Sequence, residues 1–169
     1  PSISFARFAS NGALWIGLRD REAGEWKTYG IAIVDVASGR VTTHRVGDPK
    51  SKLQIPTMIA GADVRGGDAW FATADGVARI AGGKLETWND ESLRGVRALA
   101  IVDGGVIAAT PNGALRFDGK TWETTPALGF AVDDVVATRA GQVWMATDRG
   151  IAVWDGTRLR RVDTRRGLA

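Results

Sequence analysis

The chain has 169 residues, 22 Lys and Arg against 19 Asp and Glu, one His and no Cys. This length suits one domain or a short repeat array, and the lack of Cys excludes disulfides, thiol catalysis and thiolate-held metal. The net charge of +3 is local: residues 157–169 hold five Arg against Asp163, while the rest of the chain sums to −1.

A solvated outer strand accounts for this basic tail, with a docking patch for an acidic partner or a phosphate backbone as the alternative. No aromatics interleave its arginines as base stacking would require, so no nucleic acid is expected as a partner. There is no apolar run of about 18 residues, so this segment is expected to make no membrane contact. With 44% hydrophobic and 24% charged residues, 22 Gly and 7 Trp, the composition is that of a folded, turn-rich sheet protein. The chain starts at Pro1 rather than Met, which reads as processing or as a piece of something longer.

In chain order, the first strand-like segment is "GALWIG" (Gly12 to Gly17), followed by two polar stretches, "RDREAGEWKTYG" (Arg19 to Gly30) and "GDPKSKLQIPT" (Gly47 to Thr57). Next comes "GDAWFATADGVARIAGG" (Gly67 to Gly83). "GGVIAATPNGALRFDG" (Gly104 to Gly119) follows 37 residues later, and "GQVWMATDRGIAVWDG" (Gly141 to Gly156) another 37 on. In register, Trp70, Ile107 and Trp144 share one position and Ala72, Ala109 and Ala146 a second. Thr73, Thr110 and Thr147 share a third, and Gly76, Gly113 and Gly150 a fourth. "GALWIG" fits as a weaker copy, with Trp15 and Gly17 in the first two columns and about 18 extra residues in its unit.

A period near 40 residues built of short strands and Gly turns predicts an all-β β-propeller. Each repeat supplies four strands; in the last they are 134–138, 143–147, 151–154 and 159–163. The expected fold is therefore four antiparallel four-stranded blades, about half of a ring of roughly seven or eight. The blades span about 3–56, 57–94, 95–130 and 131–169, and Trp15, Trp70 and Trp144 are expected to be buried between them.

"LWIGLRD", "AWFATADGVARI", "VIAATPNGALRFDGKTW" and "VWMATDRGIAVWDG" resemble the bacterial two-component regulator propeller repeat, and "RRVDTRRGLA" is similar to the segment that joins one such blade to the next. The resemblance covers nearly the whole chain. It implies the sensor portion of a larger bacterial signalling or surface protein, on the periplasmic or extracellular side of the cell, with the cytoplasm as the alternative. It also implies a non-catalytic module that binds a ligand or a protein, and no cofactor.

The residues for catalysis are few. His44, in "VTTHRV", is placed on an outermost strand, and no G-x-S-x-G elbow or P-loop occurs. Asp118 and Asp155 share one repeat phase and read as turn formers rather than metal ligands, so neither a catalytic residue nor a metal site is assigned. The alternative is a lyase or glycosidase of propeller type whose active site is completed by missing blades, which would need carboxylates or a His near the axis.

Binding is therefore sought in loops. Those joining the second to the third strand of each blade, and one blade to the next, share one face, and both polar insertions of the first blade fall there. Long loops on a rigid scaffold are where recognition is usually built. The candidate binding residues are Arg19, Arg21, Trp26, Tyr29, Asp148, Arg149 and Arg165. The competing reading has Trp26 and Tyr29 cap an extended hairpin or pack over the first blade. The expected partner is a protein or a second copy that completes the ring, with a small molecule or glycan as the ligand.

Overall fold

The structure, a computed structural model, describes residues 2–50, 53–124 and 128–162. Among these residues sixteen strands form four sheets, each of four consecutive antiparallel strands. The first sheet holds β1 (Ser2–Phe8), β2 (Ala13–Glu22), β3 (Glu25–Asp35) and β4 (Arg40–Arg45). The second holds β5 (Ile59–Arg65), β6 (Asp68–Thr73), β7 (Gly76–Ala81) and β8 (Lys84–Trp88). The third holds β9 (Ala98–Val102), β10 (Gly105–Thr110), β11 (Gly113–Phe117) and β12 (Trp122–Thr124). The fourth holds β13 (Val132–Ala137), β14 (Val143–Thr147), β15 (Gly150–Trp154) and β16 (Leu159–Val162). One turn of 3-10 helix, Glu91–Leu93, lies between the second and third sheets.

Successive sheets meet through their first strands, β1 against β5, β5 against β9 and β9 against β13. Among the described residues no packing of similar extent returns from the fourth sheet to the first. The chain is thus an open run of four propeller blades.

Period-2 alternation gives each blade two apolar faces. The face towards the next blade carries Trp15 opposite Ile33 and Gly17 opposite Ile31 in the first blade. The same positions are Trp70 with Arg79 and Ala72 with Val77 in the second, and Ile107 with Arg116 and Ala109 with Ala114 in the third. The opposite face meets the preceding blade with Ala69, Phe71, Ala78 and Ile80, then Val106, Ala108, Leu115 and Phe117, then Val143, Met145 and Ala152. Three buried clusters result, one at each blade junction. The small-residue column is steric: a Cβ on Gly17 would lie 2.2 Å from a ring carbon of Phe5, whose side chain fills that space.

The expected burial of the Trp column holds for Trp15 and Trp70, which are 7% and 5% exposed, and for Ile107 in the same position. It fails for Trp144, which is 38% exposed. Trp144 points away from the third blade, towards the place a further blade would occupy. The column specifies a face, and burial of that face requires a neighbour.

The Thr and Gly columns form a latch in the turn between second and third strands. Thr73, Thr110 and Thr147 each donate their hydroxyl to the carbonyl of the Gly three residues on, at 3.1, 2.9 and 2.8 Å. In the last two the same oxygen also accepts the amide two residues on, from Asn112 and Arg149. Gly76, Gly113 and Gly150 sit at φ of 146°, 135° and 104°, values a side chain disfavours. Asp side chains close the turns between third and fourth strands: Asp118 accepts the amides of Lys120 and Thr121, and Asp155 those of Thr157 and Arg158. Asp35 does the same for Ala37 and Ser38 in the first blade.

Candidate functional site

The first polar insertion, expected as a loop from Arg19 to Gly30, is mostly strand. β2 runs on to Glu22 and β3 begins at Glu25, so only Ala23 and Gly24 turn, both at positive φ. Pairing continues through Arg19–Thr28, Asp20–Lys27 and Arg21–Trp26, and Tyr29 is the extra residue of a bulge between the Gly30 and Thr28 pairs. This is the extended hairpin of the competing reading. Its tip is held by an Arg21 Nε bond to the Gly24 carbonyl and a 3.1 Å Lys27–Glu22 ion pair.

On this hairpin the Arg19 guanidinium lies 4.7 Å from the Trp26 ring centroid, and half of Trp26 is exposed. The Arg19 Nε is buried with no hydrogen-bond partner, an atom that a ligand oxygen or a water could satisfy. The bulge at Tyr29 faces the start of the second insertion. Val46 donates its amide to the Tyr29 carbonyl at 3.1 Å, and Arg45 lays its guanidinium 5.1 Å from the Tyr29 ring centroid. Beyond Arg45 a cleft of about 390 Å³ is lined by Asp48, Pro49, Leu53, Gln54, Ile55 and Leu85. Thr28 accepts the Ile59 amide at 2.8 Å, tying the hairpin to the entry into the second blade. Both insertions of the first blade therefore meet, and they meet at Arg45. Sequence reasoning missed Arg45 because it lies between the two insertions, in a strand with no turn signal; only its place at the β4 terminus pointed to it.

The fourth blade presents its own Arg–aromatic group at the corresponding turn. Arg149 and Arg161 both face Phe130, at 5.6 and 4.3 Å from the ring centroid. Asp148 adjoins Arg149 in the β14–β15 turn. The Arg–aromatic contacts form within each blade's own group, so the candidates divide into Arg19, Arg21, Trp26 and Tyr29 on the first blade and Asp148 and Arg149 on the fourth. Arg165 lies outside the described residues.

The first strands converge on a groove of about 350 Å³ whose lining includes Arg7, Asp63, Arg65, Ala100 and Asp134. Two carboxylates thus reach the axial side. Asp63 is occupied structurally: it accepts the Val64 amide at 2.9 Å and, across the blade junction, the Ile101 amide at 2.7 Å. Asp134 accepts the amide of Val135. His44 is on β4, paired with Ile31 at the outer side of the first sheet. No cluster of three or more His, Cys, Asp or Glu able to hold a metal occurs among the described residues.

The turn aspartates have lowered pKa values. The amides of Arg158 and Thr157 hold the Asp155 carboxyl at about 2, and those of Thr121 and Lys120 lower Asp118. Asp35 is lowered chiefly by the Ser38 amide. Each is ionised to complete a turn, in keeping with the turn-forming role read from the sequence.

No family model matches the sequence, and no curated protein matches it. Solved structures do resemble it. The extracellular domain of a hybrid two-component system from B. thetaiotaomicron superposes with a TM-score of 0.66 and 15% identity, over 96% of this chain and 22% of that one. A second such extracellular domain from the same organism gives 0.64 and 19%, over 100% and 24%. A streptogramin B lyase gives 0.60 and 14%, over 95% and 54%. The chain thus spans less than a quarter of the two sensor domains it resembles. At these identities the likeness shows the fold, a run of β-propeller blades, which agrees with the resemblance read from the repeats. Among the described residues no helix is long and apolar enough to cross a membrane.

Proposed function

We propose that the chain is part of a non-catalytic sensing or protein-interaction propeller, exposed on the periplasmic or extracellular side of a bacterial cell. The observation that carries this reading is the junction of the two insertions at Arg45. The first blade lengthens its β2–β3 hairpin beside a long inter-blade connection, where Arg45 lies over the Tyr29 ring and lines a cleft with apolar walls. Aromatic and Arg side chains on a rigid support anchor recognition of proteins and small molecules. The likeness to extracellular domains of two-component systems supports the location and the sensing class. The lyase reading draws on a neighbour that carries the fold alone, and on axial carboxylates of which Asp63 already holds a blade junction.

The test replaces residues 20–27 by a two-residue Asp-Gly turn and screens both proteins by thermal shift against soluble oligosaccharides and peptides. A ligand that raises the melting temperature of the parent and leaves the shortened chain unmoved supports the site. An equal rise in both removes the hairpin from recognition. Arg45→Ala and Tyr29→Ala should each weaken the same ligand with the fold intact by circular dichroism.

A further inference from the structure

Two arginines of the fourth blade depart from what the repeat uses at their positions. In the turn between second and third strands, the residue before the Gly is Asp75 in the second blade, Asn112 in the third and Arg149 in the fourth. The latch in that turn uses the backbone amide of this residue, not its side chain. On the fourth strand, Thr43, Thr87 and Thr124 stand opposite Ala32, Ala78 and Leu115. Opposite Ala152, the fourth blade has Arg161. The same turn and the same strand pairing thus form elsewhere in the chain without a guanidinium.

Both departures arrive at one ring. Directly opposed residues share a face of the sheet, so Arg161 lies on the side of Ala152, which is buried with Phe130 in the cluster between the third and fourth blades. That face is the one away from Trp144, at a junction the chain completes itself. Arg149 and Arg161 lie over the Phe130 ring, 5.6 and 4.3 Å from its centroid. No more than about 10 Å therefore separates the two guanidiniums, so their like charges repel within a Debye length. A guanidinium over a ring spends its flat face and keeps its in-plane N–H donors. Arg65, Arg79 and Arg97 pair with Asp103, Asp68 and Asp133. Among the described residues Arg149 and Arg161 have no such carboxylate, and neither side chain donates a hydrogen bond.

We propose that Arg149, Arg161 and Phe130 form a second recognition site, apart from the first-blade hairpin, and that it takes a carboxylate group of the ligand. The planar guanidinium fork matches the two oxygens of a carboxylate, which it binds through charge-assisted hydrogen bonds. Asp148, beside Arg149, offsets one of the two positive charges. The surplus that remains is neutralised by a single carboxylate and exceeded by a phosphate dianion. Phe130 supports both guanidiniums before the ligand arrives, which lowers the side-chain ordering cost of binding.

NMR titration of the 169-residue chain tests this with two monoanions, galacturonate for a sugar acid and N-acetylglutamate amide for an acidic peptide. Galactose is the neutral control and inorganic phosphate the dianion. The side-chain Nε–H signals of Arg149 and Arg161 and the ring signals of Phe130 should shift saturably with a carboxylate and stay still with galactose. The tighter of the two carboxylates tells a sugar acid from an acidic peptide. Arg149→Asn and Arg161→Thr return each position to a residue the other blades use, so each variant should melt as the parent does. Each should weaken the carboxylate about tenfold or more, the loss of a charge-assisted hydrogen bond. Arg149→Lys and Arg161→Lys keep the charge, lose the fork and should also bind more weakly. Silence towards both carboxylates overturns the proposal, as does undiminished binding by the Asn and Thr variants. Saturable shifts with phosphate alone overturn the assignment to a carboxylate.

Discussion

Trp15, Trp70 and Trp144 share one sequence position but not one energetic role. Trp70 lies in the junction of the second and third blades, stacked 5.2 Å from Trp88 and edge-on to Phe117 at 5.6 Å. Trp70→Ala should destabilise the fold by about 3–5 kcal/mol in urea denaturation, the usual cost of emptying a large aromatic site; a loss under about 1 kcal/mol would mean the cluster closes over the gap. The sequence identifies the Trp column, since a side chain's face follows from strand alternation. It does not reveal the exposure of Trp144, because burial depends on a neighbouring blade that the repeat pattern does not encode. Asp155 is a second residue whose role the structure fixes. Its folded pKa of about 2 lies below the ordinary Asp value of 3.8, so its stabilisation of the β15–β16 turn is complete above the unfolded value and is lost as pH falls from there through about 2. A carboxyl NMR titration should show Asp155 still ionised at pH 3, where an ordinary Asp is mostly protonated; a midpoint near the ordinary value would mean the turn is open in solution.

At the level of elements, the Thr-to-Gly turns are the recurrent device. Thr110 is buried, donates to the Gly113 carbonyl and accepts from the Asn112 amide. Thr110→Val keeps the shape and removes both bonds, so it should cost about 1–3 kcal/mol, the range for stranding buried polar partners. Melting of Thr110→Val beside Thr110→Ser, which restores the hydroxyl, measures it; equal losses in the two would assign the effect to packing. These turns were legible because Thr, a two-residue gap and Gly recur at a fixed spacing. The long β2–β3 hairpin was not. Residues 19–28 are charged or polar at nearly every position and mostly exposed on both faces, so no apolar alternation announces strands there. Backbone pairing holds the extension, with the Arg19–Trp26 contact, the Arg21–Gly24 bond and the Lys27–Glu22 ion pair. Arg45 escaped for a related reason: its place at the site depends on the bulge at Tyr29, and nothing in the local pattern marks a bulge.

Across the whole molecule, blades are coupled only to their neighbours, so stability is expected to vary along the run. The second and third blades are covered on both faces, the first and fourth on one. Amide exchange should follow this. Protection should be highest in β6 and β10, whose side chains are buried along nearly the whole strand, and lowest in β4 and β16, which edge the end sheets. Uniform exchange across all four sheets would show that the run opens as one cooperative unit.

Among the described residues every sheet takes its four strands from one stretch of sequence, in chain order, and no strand is lent to a neighbour. The junctions in turn reuse one set of residue columns. A whole repeat is therefore a unit of inheritance as well as of structure. Duplicating or deleting one by recombination leaves each remaining sheet with its own hydrogen-bonded ladder and meets the next with a face of the right kind. Such an array can change its blade number in a single genetic step without passing through an unfoldable intermediate, while the hairpin on its first blade diversifies separately.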